Sequence, residues 1–89
     1  MSWGYRISPE AAENLRDIGQ SAAAEIKHFL ATRILGAENP ELFGKPLRGS
    51  NHGLWRYRVR GWRILCRLER SVLIVVVVEV GHRSTIYDD

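Results

Sequence analysis

A run of seven apolar residues at positions 72–78, five of them valine, constrains the fold of this 89-residue chain more than any other feature. Side chains that are branched at the β-carbon, as in valine and isoleucine, favour strands over helices. Seven residues are also far fewer than the roughly 20 that a membrane-spanning helix needs. A strand without polar alternation is typically covered on both faces, as central strands are. Residues 72–80 are therefore predicted to form a central strand.

Three further segments show the alternation of apolar and polar side chains that is typical of half-buried strands. They are residues 3–7, 54–60 and 62–69. Tight turns near Arg60 and Gly61, and near Arg70 and Ser71, would join the last three strands into an antiparallel meander. The sequence thus predicts four strands, one at the start of the chain and three near its end.

Two helices are predicted between the first strand and the meander. The first begins at Ser8 and Pro9, which are preferred at the N-cap and in the first turn, and it stops at Gly19. The second is predicted to run from a cap at Ser21 to about residue 35. Its buried stripe would consist of Ile26, Phe29, Leu30 and Ile34.

The connection between the second helix and the meander spans residues 36–53 and contains two prolines and four glycines. This composition predicts little regular structure. Leu42, Phe43 and Leu47 are expected to pin the connection to the core. The expected fold is α+β: an N-terminal strand and a two-helix hairpin packed on a mainly antiparallel four-stranded sheet, in a single domain over residues 1–89.

Charge is distributed unevenly along the chain. Residues 1–44 carry 4 basic and 6 acidic side chains, a net −2, whereas residues 45–89 carry 9 basic and 4 acidic ones, a net +5. A positive field in one half favours an anionic partner such as nucleic acid or an acidic protein. The lone Cys66 permits no intramolecular disulfide, and no secretion signal opens the chain, so a cytoplasmic location without membrane contact is expected.

Arginines dominate the basic half and follow the strand pattern. Alternation places Arg56, Arg58 and Arg60 on one face of their strand, with successive side chains roughly 6.7 Å apart. Arg63 and Arg67 extend this face on the next strand, and an ordinary hairpin puts Arg63 near Arg58. Such side chains could merely keep an open sheet face soluble. Several of them on one face, with few carboxylates between them, favour phosphate binding instead, because arginine donates planar, bidentate hydrogen bonds to phosphates.

The residues after the central strand form a second candidate cluster. Arg83 and Tyr87 are four residues apart and could fold back over the basic face. A tyrosine there can stack on a base, or take part in proton transfer if positive charge lowers its usual pKa of about 10. His82 is an alternative base, but it alternates away from Arg83, so a role in a turn or a contact with RNA or a partner protein is the main expectation. No metal-ligand spacing is present, and no metal or cofactor is predicted.

Four short motifs, in this order and spacing, resemble the RelE-type toxins of the RelE/ParE superfamily, found in bacterial type II toxin–antitoxin systems. They are PLRG at residues 46–49, LWRYRV at 54–59, WRILCR at 62–67, and VGHR at 80–83 followed by Ile86 and Tyr87. The resemblance covers nearly the whole chain. It implies a microbial-ribonuclease-like β-α-α-β-β-β fold and metal-independent cleavage of mRNA in the A site of the small ribosomal subunit.

The resemblance also implies roles for individual residues. Matched by position, the catalytic set is Arg56, Arg58, Arg63, Arg83 and Tyr87, and Arg48 falls at a corner expected to contact RNA or the ribosome. The other expected RNA-binding residues do not rest on a positional match: they are Arg60 and Arg67, from the strand pattern, and His82, which differs in position from the catalytic histidine of some relatives. The implied reaction is attack of a ribose 2′-oxygen on the adjacent phosphorus. Relatives often carry lysine at the first two catalytic positions. Because arginine is too weak an acid to exchange protons easily, the general acid and base stay open.

The resemblance leaves three functions to be separated. The ParE branch shares the fold but poisons DNA gyrase without being an enzyme, and it generally lacks the full basic and tyrosine set. A plain nucleic-acid-binding module or an inactive remnant is the third possibility. For a toxin, the implied partner is a cognate RelB-like antitoxin that is small, acidic and partly disordered when free, in a hetero-oligomeric complex.

Overall fold

The computed structural model describes residues 2–47 and 53–82, and in them five strands form one sheet. The strands are β1 (Gly4–Ile7), β2 (Gly44–Pro46), β3 (Leu54–Val59), β4 (Trp62–Glu69) and β5 (Ile74–His82). Their order across the sheet is β1-β5-β4-β3-β2, with β1 parallel to β5 and the other pairs antiparallel. The α+β prediction is confirmed, with one strand more than expected.

Two helices cover one face of this sheet. They are α1 (Pro9–Asp17) and α2 (Gln20–Phe29), and α2 continues through a wider π-helical turn at Leu30–Ile34. The predicted apolar stripe is confirmed, because Ile26, Leu30 and Ile34 are fully buried and Phe29 packs on the ring of Tyr57. No helix among the described residues is long and apolar enough to cross a membrane.

The predicted helix starts are half right. The Ser8 side chain caps α1 by accepting a hydrogen bond from the backbone N–H of Ala11 at 3.1 Å. The predicted cap at Ser21 is wrong, because α2 already begins at Gln20 and Ser21 lies in its first turn. Gly19 takes the cap position with a φ of 96°, which few other residues adopt, so one glycine both separates the helices and starts the second.

Strand β5 is central, as its valines predict. Val75, Val76 and Val77 are buried, and β5 lies between β1 and β4. The strand starts two residues later than predicted. A turn occupies the positions before it, where Leu73 has a φ of 56° and Val72 is exposed.

The expectation of little regular structure between the second helix and the meander is wrong for residues 40–46, and residues 48–52 of that connection lie outside the described part. A 3-10 turn at Pro40–Phe43 leads directly into β2. The phenol of Tyr57 donates a hydrogen bond to the carbonyl oxygen of Pro40 at 2.9 Å, which fixes the turn to β3. Leu42 and Phe43 do not pin the turn to the core, because they are 75% and 40% exposed, whereas the neighbouring Pro40 is buried.

A bulge interrupts the pairing of β4 with β5. Cys66 lies opposite Val77, but Leu65 lies opposite Glu79, which leaves Val78 as an extra residue. A bulge of this kind shifts the alternation of side chains beyond it by one residue. Glu79 is thereby turned away from the helices, where straight alternation from Val77 would have directed it.

Helix α1 holds this bulge in place. The Asn14 side-chain oxygen accepts a hydrogen bond from the Val80 N–H at 3.0 Å, and the Ser8 hydroxyl donates to the Val78 carbonyl oxygen at 3.4 Å. These bonds give partners to two backbone groups of β5 beside the bulge. As a result Val80 packs into the core and Gly81 comes to lie opposite Arg63.

Two titratable side chains, Tyr57 and Cys66, are fully buried in the core. Burial raises the pKa of both groups above their ordinary values of 10.0 and 9.0, and for Tyr57 the neighbouring Cys66 and Glu41 raise the pKa further. Both side chains therefore stay protonated at neutral pH. A pKa that rises on folding means that the ionised form is less favourable in the folded chain than in the unfolded one. The fold should therefore lose stability at high pH.

We expect the free energy of unfolding to fall as the pH rises above the ordinary pKa of a thiol, 9.0. The unfolded chain releases the Cys66 proton there and the folded chain keeps it, so stability drops by about 1.4 kcal/mol per pH unit. Urea unfolding across this range measures the slope. Cys66→Ala should remove that slope until tyrosines begin to titrate, and an unchanged slope in Cys66→Ala would contradict the assignment.

Candidate functional site

The sheet face turned away from the helices is basic, and we call it the arginine face. Strand alternation and register place on it Lys45 of β2, Arg56 and Arg58 of β3, and Arg63, Leu65 and Arg67 of β4. The opposite face carries the core side chains, among them Tyr57 and Ile64. The sheet therefore separates a packing surface from a charged one, as the sequence predicts.

The register brings the basic residues of three strands side by side. Arg58 lies opposite Arg63, which confirms the predicted neighbourhood, and Arg56 lies between Lys45 and Leu65. Opposite residues in an antiparallel pair have their β-carbons about 4.5–5.5 Å apart. Four cationic side chains thus share a patch that is three strands wide.

Two of these arginines are buried. Arg56 is 6% exposed and Arg63 is 2% exposed, whereas Arg58 beside them is exposed. A charged side chain whose task is solubility stays in water, and removing it from water is costly without compensating contacts. Solubility therefore accounts poorly for Arg56 and Arg63. Their burial favours a specific role on this face.

The neighbouring strand β5 contributes little bulk beside Arg63. Its register partner Gly81 has no side chain. Glu79, opposite Leu65, is exposed and lies on the arginine face because of the bulge. Glu69 lies on the same face at the far end of β4, so the excess of positive charge is concentrated around β2, β3 and the start of β4.

The structure does not bring every predicted RNA-binding residue to this patch. Arg60 is a turn residue with a φ of 56°, and its guanidinium pairs with the Glu25 carboxylate of α2 at 2.5 Å. The expectation that it shares a face with Arg56 is therefore wrong, because the turn ends the strand alternation. Arg67 does lie on the arginine face, exposed, roughly 13 Å along β4 from Arg63.

His82 lies on the helix side of the sheet. Its ring packs edge-on against Trp62, with 5.5 Å between ring centroids, and its register partner is that same tryptophan. His82 is thereby separated from Arg63, and its direction relative to Arg83 stays a prediction. Three other predicted site residues, Arg48, Arg83 and Tyr87, lie outside the described residues.

Sequence reasoning missed a cleft at the β2 edge of the arginine face. The cleft has a volume of about 230 Å³ and is lined by Leu42, Phe43, Gly44, Lys45, Arg56 and Arg58. Lys45 was not predicted because a three-residue strand is too short to show a period. The sequence did contain one sign of a basic contribution from this connection, which is the position of Lys45 between Gly44 and Pro46.

The described part of the arginine face can bind anions and stabilise negative charge. Guanidinium groups donate hydrogen bonds in a fixed plane and accept none. In residues 2–47 and 53–82, no three histidine, cysteine, aspartate or glutamate side chains are grouped as metal ligands would be. Tyr57 and Cys66 face the core on the other side of the sheet, with raised pKa values, so neither can take up a proton at this surface.

Comparison with known proteins relates this arrangement to toxins. A family model described as the ParE toxin of the type II toxin–antitoxin system parDE matches residues 5–87. No curated protein matches significantly. A chain of the toxin–antitoxin complex RelBE2 from Mycobacterium tuberculosis is 25% identical, with a TM-score of 0.82, and the match covers 93% of this chain and 100% of that one.

More distant structures have the same fold. A mutant of Escherichia coli RelE in the free state is 19% identical with a TM-score of 0.74, and the match covers 96% of this chain and 88% of that one. An archaeal RelE–RelB complex from Pyrococcus horikoshii is 15% identical with a TM-score of 0.71, over 97% and 100% of the two chains. With a RelE-like fold and a family model matched over nearly its whole length, the chain belongs to the ParE toxin family of type II toxin–antitoxin systems, within the RelE/ParE superfamily.

Proposed function

We propose that this chain is a ribosome-dependent endoribonuclease that inhibits translation by cleaving mRNA in the ribosomal A site. The observation that carries the proposal is the grouping of Arg56, Arg58 and Arg63 on one sheet face, with two of the three buried. A non-enzymatic toxin that acts through protein contact has no evident need of such a grouping of arginines. An RNA-cleaving site needs several cations around one phosphate.

The proposed reaction is an internal transfer at phosphorus. The ribose 2′-oxygen loses its proton and bonds to the adjacent phosphorus, the bond to the 5′-oxygen of the next nucleotide breaks, and that oxygen gains a proton. The products are a 2′,3′-cyclic phosphate and a free 5′-hydroxyl. Negative charge builds up on the phosphate in the transition state, and Arg58 and Arg63, opposite each other in the sheet, are assigned to stabilise it.

The proton transfers are assigned elsewhere, because guanidinium groups exchange protons poorly. Tyr87 is the proposed residue for stacking on a base or assisting the 2′-oxygen, and Arg83 for the phosphate or the leaving oxygen. Arg48, Arg67 and His82 are proposed as outer contacts to RNA. Arg60 is a weaker candidate because it already pairs with Glu25.

An antitoxin is the proposed protein partner in the cytoplasm. The structural relatives include RelE–RelB and RelBE2 toxin–antitoxin complexes. For this chain, a small acidic segment that folds on binding would complement the excess positive charge of residues 45–89. Such a partner would mask the arginine face while the cell grows.

The deciding experiment uses purified ribosomes programmed with a defined mRNA. The wild-type protein should cut the mRNA within the A-site codon, leaving a cyclic phosphate, and should leave the same mRNA intact without ribosomes. E. coli RelE in a parallel reaction shows that the ribosomes are competent. If RelE cleaves and this protein does not, the proposal is wrong.

A second candidate, inhibition of DNA gyrase, is favoured by the ParE description of the matching family model. It is separated in cells by following newly made protein and DNA after the toxin is induced. Early loss of protein synthesis supports the ribonuclease. An early DNA-damage response, with inhibition of purified gyrase and no mRNA cleavage, supports the gyrase poison instead.

A further inference from the structure

Phe43 and Leu42 form a small exposed apolar surface beside the arginine face. Both side chains are exposed, and both line the 230 Å³ cleft that also contains Lys45, Arg56 and Arg58. Exposed large apolar side chains scattered over a surface need no explanation, but a pair that borders a cationic cleft is a candidate binding site.

The ring of Phe43 is contacted by a residue that does not line the cleft. The guanidinium carbon of Arg33, in the turn that ends α2, lies 6.0 Å from the ring centroid, within the range of a cation–π contact. Phe43 also lines a second hollow of about 370 Å³ together with Arg33 and Leu35. Phe43 thus borders two hollows, one of which is the cationic cleft.

The floor of the cleft is positively charged. Lys45 lies opposite Arg56 in the β2–β3 pair, and Arg58 follows two residues later on the same face of β3. No carboxylate is among the described residues that line the cleft. Gly44 brings β2 this close to β3, because a side chain there would collide with the β3 backbone.

Aromatic side chains interleaved with cations are typical of single-stranded RNA sites, where bases stack on rings and phosphates meet Lys or Arg. We infer that this cleft is a subsite for one nucleotide next to the scissile phosphate, with its base on Phe43 and its phosphate on Lys45 and Arg58. The inference rests on the proposed function for the identity of the ligand. An acidic peptide would satisfy the cations but makes no particular use of an exposed ring.

Direct binding tests the subsite without the ribosome. The probe is a trinucleotide with 2′-O-methyl groups, which cannot be cleaved, titrated into isotope-labelled protein. Shifts are expected in the NMR signals of the Gly44 and Lys45 amides and of the Phe43 ring. Phe43→Leu should weaken binding about 5- to 150-fold, as expected for the loss of one stacked base, whereas Phe43→Trp should retain it.

Leu35→Ala is the matched control, because Leu35 is an exposed apolar side chain that lines the neighbouring hollow and not the cleft. It should bind the trinucleotide as the wild type does. In the ribosome assay, Phe43→Leu should raise KM by a similar factor with a much smaller change in kcat, because the contact is made in the bound substrate as well as in the transition state.

The outcomes separate the subsite from the proposed function. Trinucleotide binding at Gly44 and Lys45 without any mRNA cleavage would support the subsite and overturn the ribonuclease. Cleavage with an unchanged KM in Phe43→Leu, and no shifts at Gly44 or Lys45, would overturn the subsite alone. A Phe43→Leu protein that binds RNA normally but binds its antitoxin more weakly would assign the cleft to a protein contact and overturn the inference.

Discussion

Replacing Arg63 by alanine is expected to slow mRNA cleavage by about 100- to 1000-fold, the usual cost of losing one donor aimed at transition-state charge. Arg63 is 2% exposed, lies opposite Arg58, and has the side-chain-free Gly81 on its other flank. It is therefore held within the sheet face and largely shielded from solvent, where a charge interaction is stronger than in water. The rate under saturating, programmed ribosomes measures the loss, and toxicity in cells should disappear with it.

Arg63→Lys distinguishes charge from geometry. Lysine keeps the positive charge and most of the aliphatic stem, but it cannot donate two parallel hydrogen bonds to one phosphate. We expect a loss of at least about tenfold, which falls between wild type and Arg63→Ala. Circular dichroism and thermal unfolding of both variants show whether the fold is retained, since removing a buried side chain also costs stability.

Arg67→Ala is the matched control for this pair of variants. Arg67 is on the same strand and face as Arg63, but it is exposed and roughly 13 Å away. Its removal should affect the encounter with RNA through the long-range field, an effect that added salt screens. Equal losses for Arg63→Ala and Arg67→Ala would mean that the arginine face acts as a diffuse charge and holds no scissile phosphate.

The composition of the arginine face was predictable because a strand has a period of two residues. Once residues 54–60 are assigned to a strand, Arg56 and Arg58 must share a face, and a short hairpin must bring Arg63 to it. The pattern does not indicate how deeply a side chain is buried. Alternation assigns a residue to a face, but the burial of Arg56 and Arg63 depends on what else packs there.

The elements that were mispredicted depend on contacts distant in sequence. Strand β2 has three residues and forms through its pairing with β3, which no local pattern can reveal. The bulge in β5 was equally absent from the prediction, although one sign of it was present. Straight alternation from Val75 and Val77 would direct Glu79 into the core and Val80 out of it, and an isolated carboxylate is too costly to bury there.

Gly44→Ala is expected to detach β2 from the sheet and to lower the free energy of unfolding by about 1–3 kcal/mol, the usual cost of an added methyl group without space. An alanine β-carbon would lie 2.7 Å from Cδ1 of Tyr57 and 2.8 Å from Nε1 of Trp55, and closer still to the carbonyl oxygen of Arg56. That oxygen belongs to the β3 backbone and cannot move aside. Because β2 is a short edge strand, separating it from β3 relieves the clash more cheaply than unfolding the sheet does.

Gly4→Ala is the control for this substitution, because Gly4 begins the strand at the opposite edge and an added β-carbon would make only an ordinary contact, 3.4 Å from Ile74. Urea unfolding should show a loss for Gly44→Ala and little change for Gly4→Ala. Hydrogen exchange should become faster in Gly44→Ala at the amides that pair β2 with β3, while those of β4 and β5 stay protected. With β2 detached, Lys45 leaves Arg56 and the trinucleotide should bind weakly. Tight binding by Gly44→Ala would show instead that the nucleotide is held without the β2 edge.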